Sequence, residues 1–164
     1  QFPLDVFLAW ELGQRTYGST TRITIPTIRP GASSEDRGRV ANIYTYSLSK
    51  HLLIPTTGCK ATLFGGQFLA TAIATDPIYL CEGPWDAMAL RHALRKAGRP
   101  GVTFAVPGAG IFKEDWRRYF SGRIVYVCYD NDLAGHRGQH KVWDVLRGVA
   151  KELHFLHWPH ERPD

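Results

Sequence analysis

Cysteine is scarce in this sequence: three residues among 164, none of them in a CxxC pair. Zinc sites use clustered cysteine and histidine ligands at short spacings, so we expect no zinc in this chain. Cys81 and Cys128 end two apolar runs, a position where cysteine commonly packs as a small hydrophobic side chain. Because the spacing indicates no disulfide framework, we expect a reducing cytoplasm as the compartment.

Long apolar runs are missing as well. No run approaches the ~20 residues that a membrane-spanning helix needs, and the start of the chain lacks a signal-peptide pattern, so we expect no membrane partner. We find no internal repeat and no low-complexity segment. With 44% hydrophobic residues the chain can still build a substantial core, and its length suits one compact α/β domain with a small appendage.

Negative charge is the minority charge. The sequence has 15 aspartates and glutamates against 20 lysines and arginines, which gives a formal net charge of +5. A basic chain favours a polyanionic partner, of which nucleic acid is the most common example. A cluster of acids in such a chain therefore points to a functional site.

The sequence pattern changes near residue 75. Before it, residues 3–12 and Phe64–Ala74 predict short helices, and Arg22–Ile28 and Arg39–Tyr46 predict an antiparallel hairpin, with Lys50–Thr62 irregular. After it, apolar runs of strand length alternate with helical periods. The predicted strands are Ile78–Cys81, Val102–Val106, Ile124–Tyr129 and Glu152–Trp158, and the predicted helices are Pro84–Ala97, Phe112–Phe120 and Ala134–Val149. This alternation predicts an α/β fold whose central parallel sheet has helices on both faces, and we divide the chain into residues 1–74 and 75–164.

Three acids follow two of the predicted strands. Glu82 comes directly after the first strand, and Asp130 and Asp132 come after the third. The carboxyl ends of parallel strands form one edge of a sheet, where ligands bind, so these acids can meet. Crowded carboxylates repel each other and favour a cation, and Mg²⁺ prefers carboxylate oxygens combined with water and phosphate. The pattern therefore predicts a site for Mg²⁺, or Mn²⁺, suited to activating a hydroxyl and stabilising a leaving phosphate.

Simpler interpretations of the same residues stay open. A D-x-D pair is common, and Asp132 could cap the following helix, just as Asp86 could be a first-turn acid favoured by the helix dipole. Four glycines could serve tight turns only: Gly83, Gly108, Gly110 and Gly135. Arg91, Arg95 and Arg99 form a row on the first helix of the α/β region, and a solvated outer face is the favoured interpretation. Tyr44, Tyr46 and Phe64 could stack on bases or pack the hairpin.

The joint pattern is more specific than either motif alone. Glu82-Gly83 resembles the glutamate motif of the TOPRIM domain of topoisomerases, primases and related nucleases, and Asp130-Asn131-Asp132 with Ala134-Gly135 resembles its D-x-D motif. Residues 82–90 and 130–135 are similar to bacterial replicative primases, and especially to phage primase–helicases and the mitochondrial replicative helicase. The resemblance implies a Rossmann-like TOPRIM fold for residues 75–164, preceded by a small basic α+β subdomain that carries residues 22–29 and 38–40.

The resemblance also implies roles for individual residues. Catalytic roles fall to Glu82, Asp130 and Asp132. Metal ligation falls to Glu82, Asp86, Asp130, Asp132 and Asp164. Binding of nucleic-acid or nucleotide phosphates falls to Arg22, Arg29, Arg39, Lys50 and Lys60. The turn glycines would be Gly83, Gly108, Gly110 and Gly135.

The implied activity is DNA-directed RNA synthesis by a nucleotidyltransferase. A primase of this type joins NTPs into an RNA primer on single-stranded DNA, in the cytoplasm of a bacterial or phage-infected cell. The sequence contains neither a zinc module nor a Walker motif, so we expect template recognition and any helicase to lie outside this chain. Arg162 stands where the family often carries another acid. Two alternatives remain: a TOPRIM-type nuclease, and a catalytically silent single-stranded DNA-binding module of a replicative helicase.

Overall fold

A computed structural model describes residues 2–30 and 40–157. Within these residues the chain forms two four-stranded sheets, one antiparallel and one parallel. The first half contains helix α1 (Leu4–Ala9), strands β1 (Gly13–Tyr17), β2 (Thr20–Ile28), β3 (Val40–Ser47) and β4 (Leu52–Pro55), and a 3₁₀ helix, Gly66–Thr71. None of the described helices is long and apolar enough to cross a membrane.

The antiparallel sheet has the order β1-β2-β3-β4. Strands β2 and β3 form the predicted hairpin, with Ile25 opposite Tyr44. The prediction that Lys50–Thr62 is irregular is wrong, because β4 lies inside it and pairs with β3. Strand β1 was likewise not anticipated. Both are short edge strands whose conformation depends on the neighbouring strand more than on their own residues.

The parallel sheet occupies the second half of the chain. Its elements are β5 (Ile78–Cys81), α2 (Pro84–Lys96), β6 (Val102–Ala105), the 3₁₀ helix Glu114–Tyr119, β7 (Ile124–Cys128), α3 (Leu133–Leu146) and β8 (Glu152–Phe155). The strand order is β6-β5-β7-β8, so β5 and β7 are direct neighbours. The predicted α/β fold with a central parallel sheet is confirmed. The segment predicted as a helix at Phe112–Phe120 forms the shorter 3₁₀ helix, and Trp158 lies outside the described residues.

Each face of the parallel sheet buries a separate cluster. Ile78 and Leu80 belong to the cluster that also contains Val142 and Leu146 of α3. Cys81 belongs to the other, which includes residues of α2 together with Trp10, Ile25, Tyr44 and Phe64 from the first half of the chain. The first half thus contributes large side chains to the core on one face of the sheet.

The two halves are joined along β6. Phe64 pairs antiparallel with Ala105 through two backbone hydrogen bonds, of 2.9 and 3.2 Å. Gly65 follows with φ of 80°, and a Cβ there would lie 2.2 Å from the Thr103 carbonyl oxygen, so this close approach requires glycine. The division at residue 74 stays a prediction, since residues before it lie against the second sheet.

Two interpretations of individual side chains are now decided. Tyr44 and Phe64 are buried with ring centroids 4.7 Å apart, so they pack the core and are not available to bases.

The interpretation of the arginine row as a solvated outer face is wrong for Arg91. Its guanidinium lies 3.5 Å from the centroid of the Phe68 ring, and burial, with a smaller contribution from Arg95, lowers the pKa of Arg91 to about 10.

Candidate functional site at the carboxyl end of the parallel sheet

The first acid is carried by the turn between β5 and α2. Cys81 ends β5 opposite Cys128 of β7, and both thiols are buried. A hydrogen bond with Cys128, followed by burial, raises the pKa of the Cys81 thiol, which keeps it protonated. Glu82 comes next and is half-buried; Gly83 then caps α2 with its backbone only, and Asp86 stands in the first helical turn.

The second pair of acids is carried by the turn between β7 and α3. The Asp132 carboxylate accepts a hydrogen bond of 2.7 Å from the Gly135 backbone N–H, so Asp132 caps α3. A Cβ on Gly135 would lie 2.1 Å from the Asp130 carbonyl oxygen, which means that α3 begins in close contact with the Asp130 backbone. The capping interpretation of Asp132 is therefore confirmed, while its role as a metal ligand stays a prediction.

The structure brings the two turns together. The Asp130 backbone N–H donates a hydrogen bond of 3.3 Å to Glu82 Oε2. The pKa of Glu82 is raised, first by burial and then by the carboxylates of Asp130, Asp132 and Asp86, while the hydrogen bond from Asp130 opposes the shift. Burial and the Asp130 carboxylate likewise raise the pKa of Asp86. The four predicted acids of residues 82–132 thus interact electrostatically, at one edge of the sheet.

The acids of this site suit a metal ion that a protein binds through only one or two side chains. Among residues 2–30 and 40–157, no group of three or more His, Cys, Asp or Glu side chains is arranged to hold a metal ion. Mg²⁺ is usually held by one or two carboxylates together with water and substrate phosphates, and the hard oxygens of Glu82 and Asp130 are suited to that mode. Burial and the neighbouring carboxylates raise the pKa of Glu82, and the hydrogen bond from Asp130 offsets only part of this shift, so a cation beside Glu82 would stabilise its ionised form. Asp164 and Arg162 lie outside the described residues.

The predicted basic residues separate into groups. Arg29 and Lys60 line one pocket, whose lining includes neither Arg22 nor Lys50. Arg22 lies over the ring of Tyr17, 5.0 Å from its centroid, and Lys50 is exposed in the turn after β3. Arg39 lies outside the described residues.

Two cations of the same pocket escaped the sequence analysis. Lys113 and Arg118 line it from the second half of the chain. A signal was available in the sequence, because three cations fall within six residues at Lys113, Arg117 and Arg118. The turn glycines also differ: Gly83 and Gly135 approach neighbouring atoms closely, whereas a Cβ on Gly108 or Gly110 would meet no atom of residues 2–30 and 40–157 within 4 Å.

Comparison with known proteins agrees with this geometry. A family model described as Toprim-like matches residues 79–164. The uncharacterised protein MG010 of Mycoplasma genitalium is 30% identical over 78 residues, which is 45% of this chain and 33% of that protein. The chain therefore spans about a third of the length of this curated relative.

Two solved structures share the fold. A chain in the structure of bacteriophage T7 lagging-strand DNA polymerase interacting with the primase domains of two gp4 subunits, bound to an RNA/DNA hybrid and dTTP, matches with a TM-score of 0.75 and 16% identity, over 97% of this chain and 76% of that chain. The crystal structure of the primase fragment of the bacteriophage T7 primase-helicase protein matches with a TM-score of 0.71 and 16% identity, over 94% and 61%.

The family model and the site fall on the same residues. The match at 79–164 covers more than half of the chain and includes both acidic turns. The solved structures extend the likeness to the antiparallel sheet, because they cover nearly the whole chain. This chain belongs to the Toprim-like family and has the fold of a TOPRIM domain of the primase type.

Proposed function

We propose that this chain is the catalytic core of a DNA primase, which synthesises RNA primers on single-stranded DNA as part of a larger primase–helicase. The observation that carries the proposal is the contact between the two acidic turns. Glu82 accepts a hydrogen bond from the Asp130 backbone N–H, and its pKa is raised by burial and by the neighbouring carboxylates. The cellular setting that we propose is the cytoplasm of a bacterial or phage-infected cell.

The reaction joins the 3′-hydroxyl of one nucleotide to the α-phosphate of the next NTP, with pyrophosphate as the leaving group. Glu82, Asp86, Asp130 and Asp132 would hold Mg²⁺ or Mn²⁺, which supplies charge neutralisation at the phosphates when bound. Glu82 is our candidate for the base that accepts the proton of the 3′-hydroxyl, because its carboxylate lies at the contact between the two acidic turns. The basic residues Arg22, Arg29, Arg39, Lys50 and Lys60 neutralise phosphates of template, primer and NTP.

The test is a synthesis assay on the 164-residue chain. The protein is incubated with Mg²⁺ or Mn²⁺, labelled NTPs and mixed-sequence single-stranded DNA, beside Glu82→Gln and the double variant Asp130→Asn/Asp132→Asn. Asp144→Asn serves as the matched control, because it removes an exposed carboxylate of α3 outside the site. We expect short RNA products from the wild type and the control, and a loss of about 100-fold or more in Glu82→Gln.

Other outcomes of this assay decide against the proposal. Products of equal yield from Glu82→Gln would remove Glu82 from catalysis. Degraded DNA without RNA synthesis would replace the primase with a TOPRIM-type nuclease that uses the same acids.

A second candidate function is a catalytically silent module that binds single-stranded DNA for a replicative helicase. Two observations favour it: Asp132 caps α3, and no group of three metal-binding side chains forms in the described part of the chain. DNA binding that is equal with and without Mg²⁺, and equal in the wild type and the acid variants, combined with no RNA product, would select this module over the primase.

A further inference from the structure

A small cleft lies between α1 and the middle of α2. Its lining residues include Asp5 and Ala9 from α1 and Arg91, His92 and Arg95 from α2. Its volume is about 10 Å³, which is room for about one water molecule. A larger ligand would therefore lie across the mouth of the cleft and contact the side chains that surround it.

Arg91 brings a positive charge to this cleft without a matching carboxylate. Its guanidinium lies over the Phe68 ring, 3.5 Å from the centroid, and its Nε is buried and finds no acceptor among the described residues. Asp5 lines the same cleft, yet in this part of the chain neither Arg91 nor Arg95 forms an ion pair. Burial and Arg95 lower the pKa of Arg91 to about 10, so an anion at the cleft would stabilise its charged form.

The geometry of the two arginines suits carboxylates. A guanidinium that lies over a ring uses its face, and it leaves the N–H groups at its edge to bind both oxygens of one carboxylate. Arg95 follows Arg91 by one helical turn and is exposed, so it adds a second cation about 6 Å along the helix axis. The pair therefore fits a ligand that carries carboxylates at more than one position.

Apolar side chains flank the cleft on the α1 side. Leu4 and Leu8 are each 69% exposed and stand one helical turn apart, so they form one apolar strip. The residues that follow them, Asp5 and Ala9, line the cleft. A nucleic-acid strand has no aliphatic side chains to cover two leucines, whereas a peptide supplies carboxylates and aliphatic side chains together.

We propose that Leu4, Leu8, Arg91 and Arg95 form a docking surface for a peptide segment of a partner protein that combines Asp or Glu with apolar residues. The carboxylates of the segment pair with the two arginines, and its apolar side chains cover the two leucines. The surface is separate from the acidic turns, because Arg91 and Arg95 lie about 8 and 14 Å beyond Asp86 along α2. The inference goes beyond the proposed function, since this surface uses none of the acids.

The experiment measures by fluorescence anisotropy how the 164-residue chain binds a labelled peptide, Asp-Asp-Leu repeated four times, without divalent metal. Arg95→Ala removes an exposed side chain, and Arg91→Gln keeps an uncharged side chain beside Phe68; circular dichroism checks that both variants fold. Leu8→Ser tests the apolar strip. Lys96→Ala is the matched control, because Lys96 is the exposed neighbour of Arg95 and is not among the described residues that line the cleft.

We expect Arg91→Gln to bind the peptide about tenfold more weakly, because it loses a charge-assisted contact, and Arg95→Ala about threefold more weakly. Leu8→Ser should lose about threefold through its apolar contact, and Lys96→Ala should bind like the wild type. Peptide binding that is unchanged in both arginine variants, or that falls equally in Lys96→Ala, would overturn the assignment.

Oligothymidylate tests the other class of polyanion. We expect it to bind the wild type and the two arginine variants alike. If it displaces the peptide from the wild type and loses affinity in Arg91→Gln and Arg95→Ala, the surface binds a nucleic-acid backbone and the peptide assignment is overturned. Because no NTP or metal enters this measurement, loss of peptide binding and loss of RNA synthesis are separate results.

Discussion

Helix α2 begins at Gly83, which offers no side-chain cap, whereas α3 begins at Asp132, whose carboxylate accepts a hydrogen bond from Gly135. Both helices follow neighbouring parallel strands, and both turns present acids at the same edge of the sheet. The second turn fixes its backbone by a cap and by a glycine in close contact with Asp130. In the first turn the Asp86 carboxylate accepts hydrogen bonds from the backbone N–H groups of Gly83 and Asp86. Glu82 is positioned by the backbone N–H of the second turn.

The acids of the two turns also differ in burial and in their pKa values. Glu82 and Asp86 of the first turn have pKa values raised by burial and by neighbouring carboxylates. Asp86, Asp130 and Asp132 are all exposed, so Glu82 is the half-buried one of these four acids. The comparison teaches that Asp132 stabilises its turn as a helix cap, whereas the ionised Glu82 destabilises the fold. Replacing these two acids should therefore have opposite effects on stability.

The largest effect is expected at the glycine of the second turn. In Gly135→Ala the new Cβ would lie 2.1 Å from the Asp130 carbonyl oxygen, a backbone atom that cannot move without displacing the end of β7. We expect a loss of about 3 kcal/mol in the free energy of unfolding. Urea denaturation measures it. In the control, Gly83→Ala, the Cβ would meet only the Asp86 carboxylate at 3.0 Å, and a loss below about 1 kcal/mol is expected. Equal losses in both variants would remove the distinction between the turns.

Metal binding should come next in size. If the acids take up Mg²⁺ in the folded state only, a concentration of ten times Kd adds about 1.4 kcal/mol of stability. For a chain of this length this raises Tm by about 3–6 °C. Thermal unfolding with Mg²⁺ and with EDTA measures the shift, and Asp130→Asn should lose it while Asp144→Asn keeps it. A shift that survives in Asp130→Asn would place the ion elsewhere.

The cap of α3 tests whether Asp132 has one role or two. We expect Asp132→Ala to lose about 1 kcal/mol of stability, because the Gly135 N–H loses its acceptor. Asp132→Asn keeps an oxygen that can accept this bond, and should unfold near the wild-type urea concentration. If Asp132→Asn is stable but makes no RNA, the carboxylate has a role beyond the cap. Full synthesis by Asp132→Asn would reduce the residue to a cap.

The smallest effect is expected at Glu82, and its sign is opposite. Folding raises the pKa values of Glu82 and Asp86, so their protonated forms stabilise the fold at low pH, and this contribution is lost as pH rises through the folded-state values. Near pH 7 and without metal, Glu82→Gln should therefore raise Tm by about 1 °C, and the difference should disappear below about pH 4. A variant that is less stable than the wild type at pH 7 would show that the carboxylate is compensated in the apo chain.

The sequence was most informative in the second half of the chain. The apolar runs and helical periods placed Ile78–Cys81 without error, and the order strand, acid, glycine, helix located Glu82 and Asp130. It failed at β1 and β4, because short edge strands carry weak local signals and form through pairing. It also failed at Arg91, since the helix period does not reveal that Phe68 lies over that face.

The sequence by itself determined that acids follow two parallel strands at the carboxyl edge of one sheet, because apolar runs, helix starts and the direction of parallel strands follow from local pattern. That these two strands are neighbours came from the structure. Only the tertiary structure decided how these acids behave. Glu82 is buried, and Arg29 shares a pocket with Lys113, through contacts between residues that are distant along the chain. Gly135 contacts the Asp130 backbone because of the way the turn between them folds. Burial, close backbone approach and charge proximity are properties of packing, and a linear pattern does not contain them.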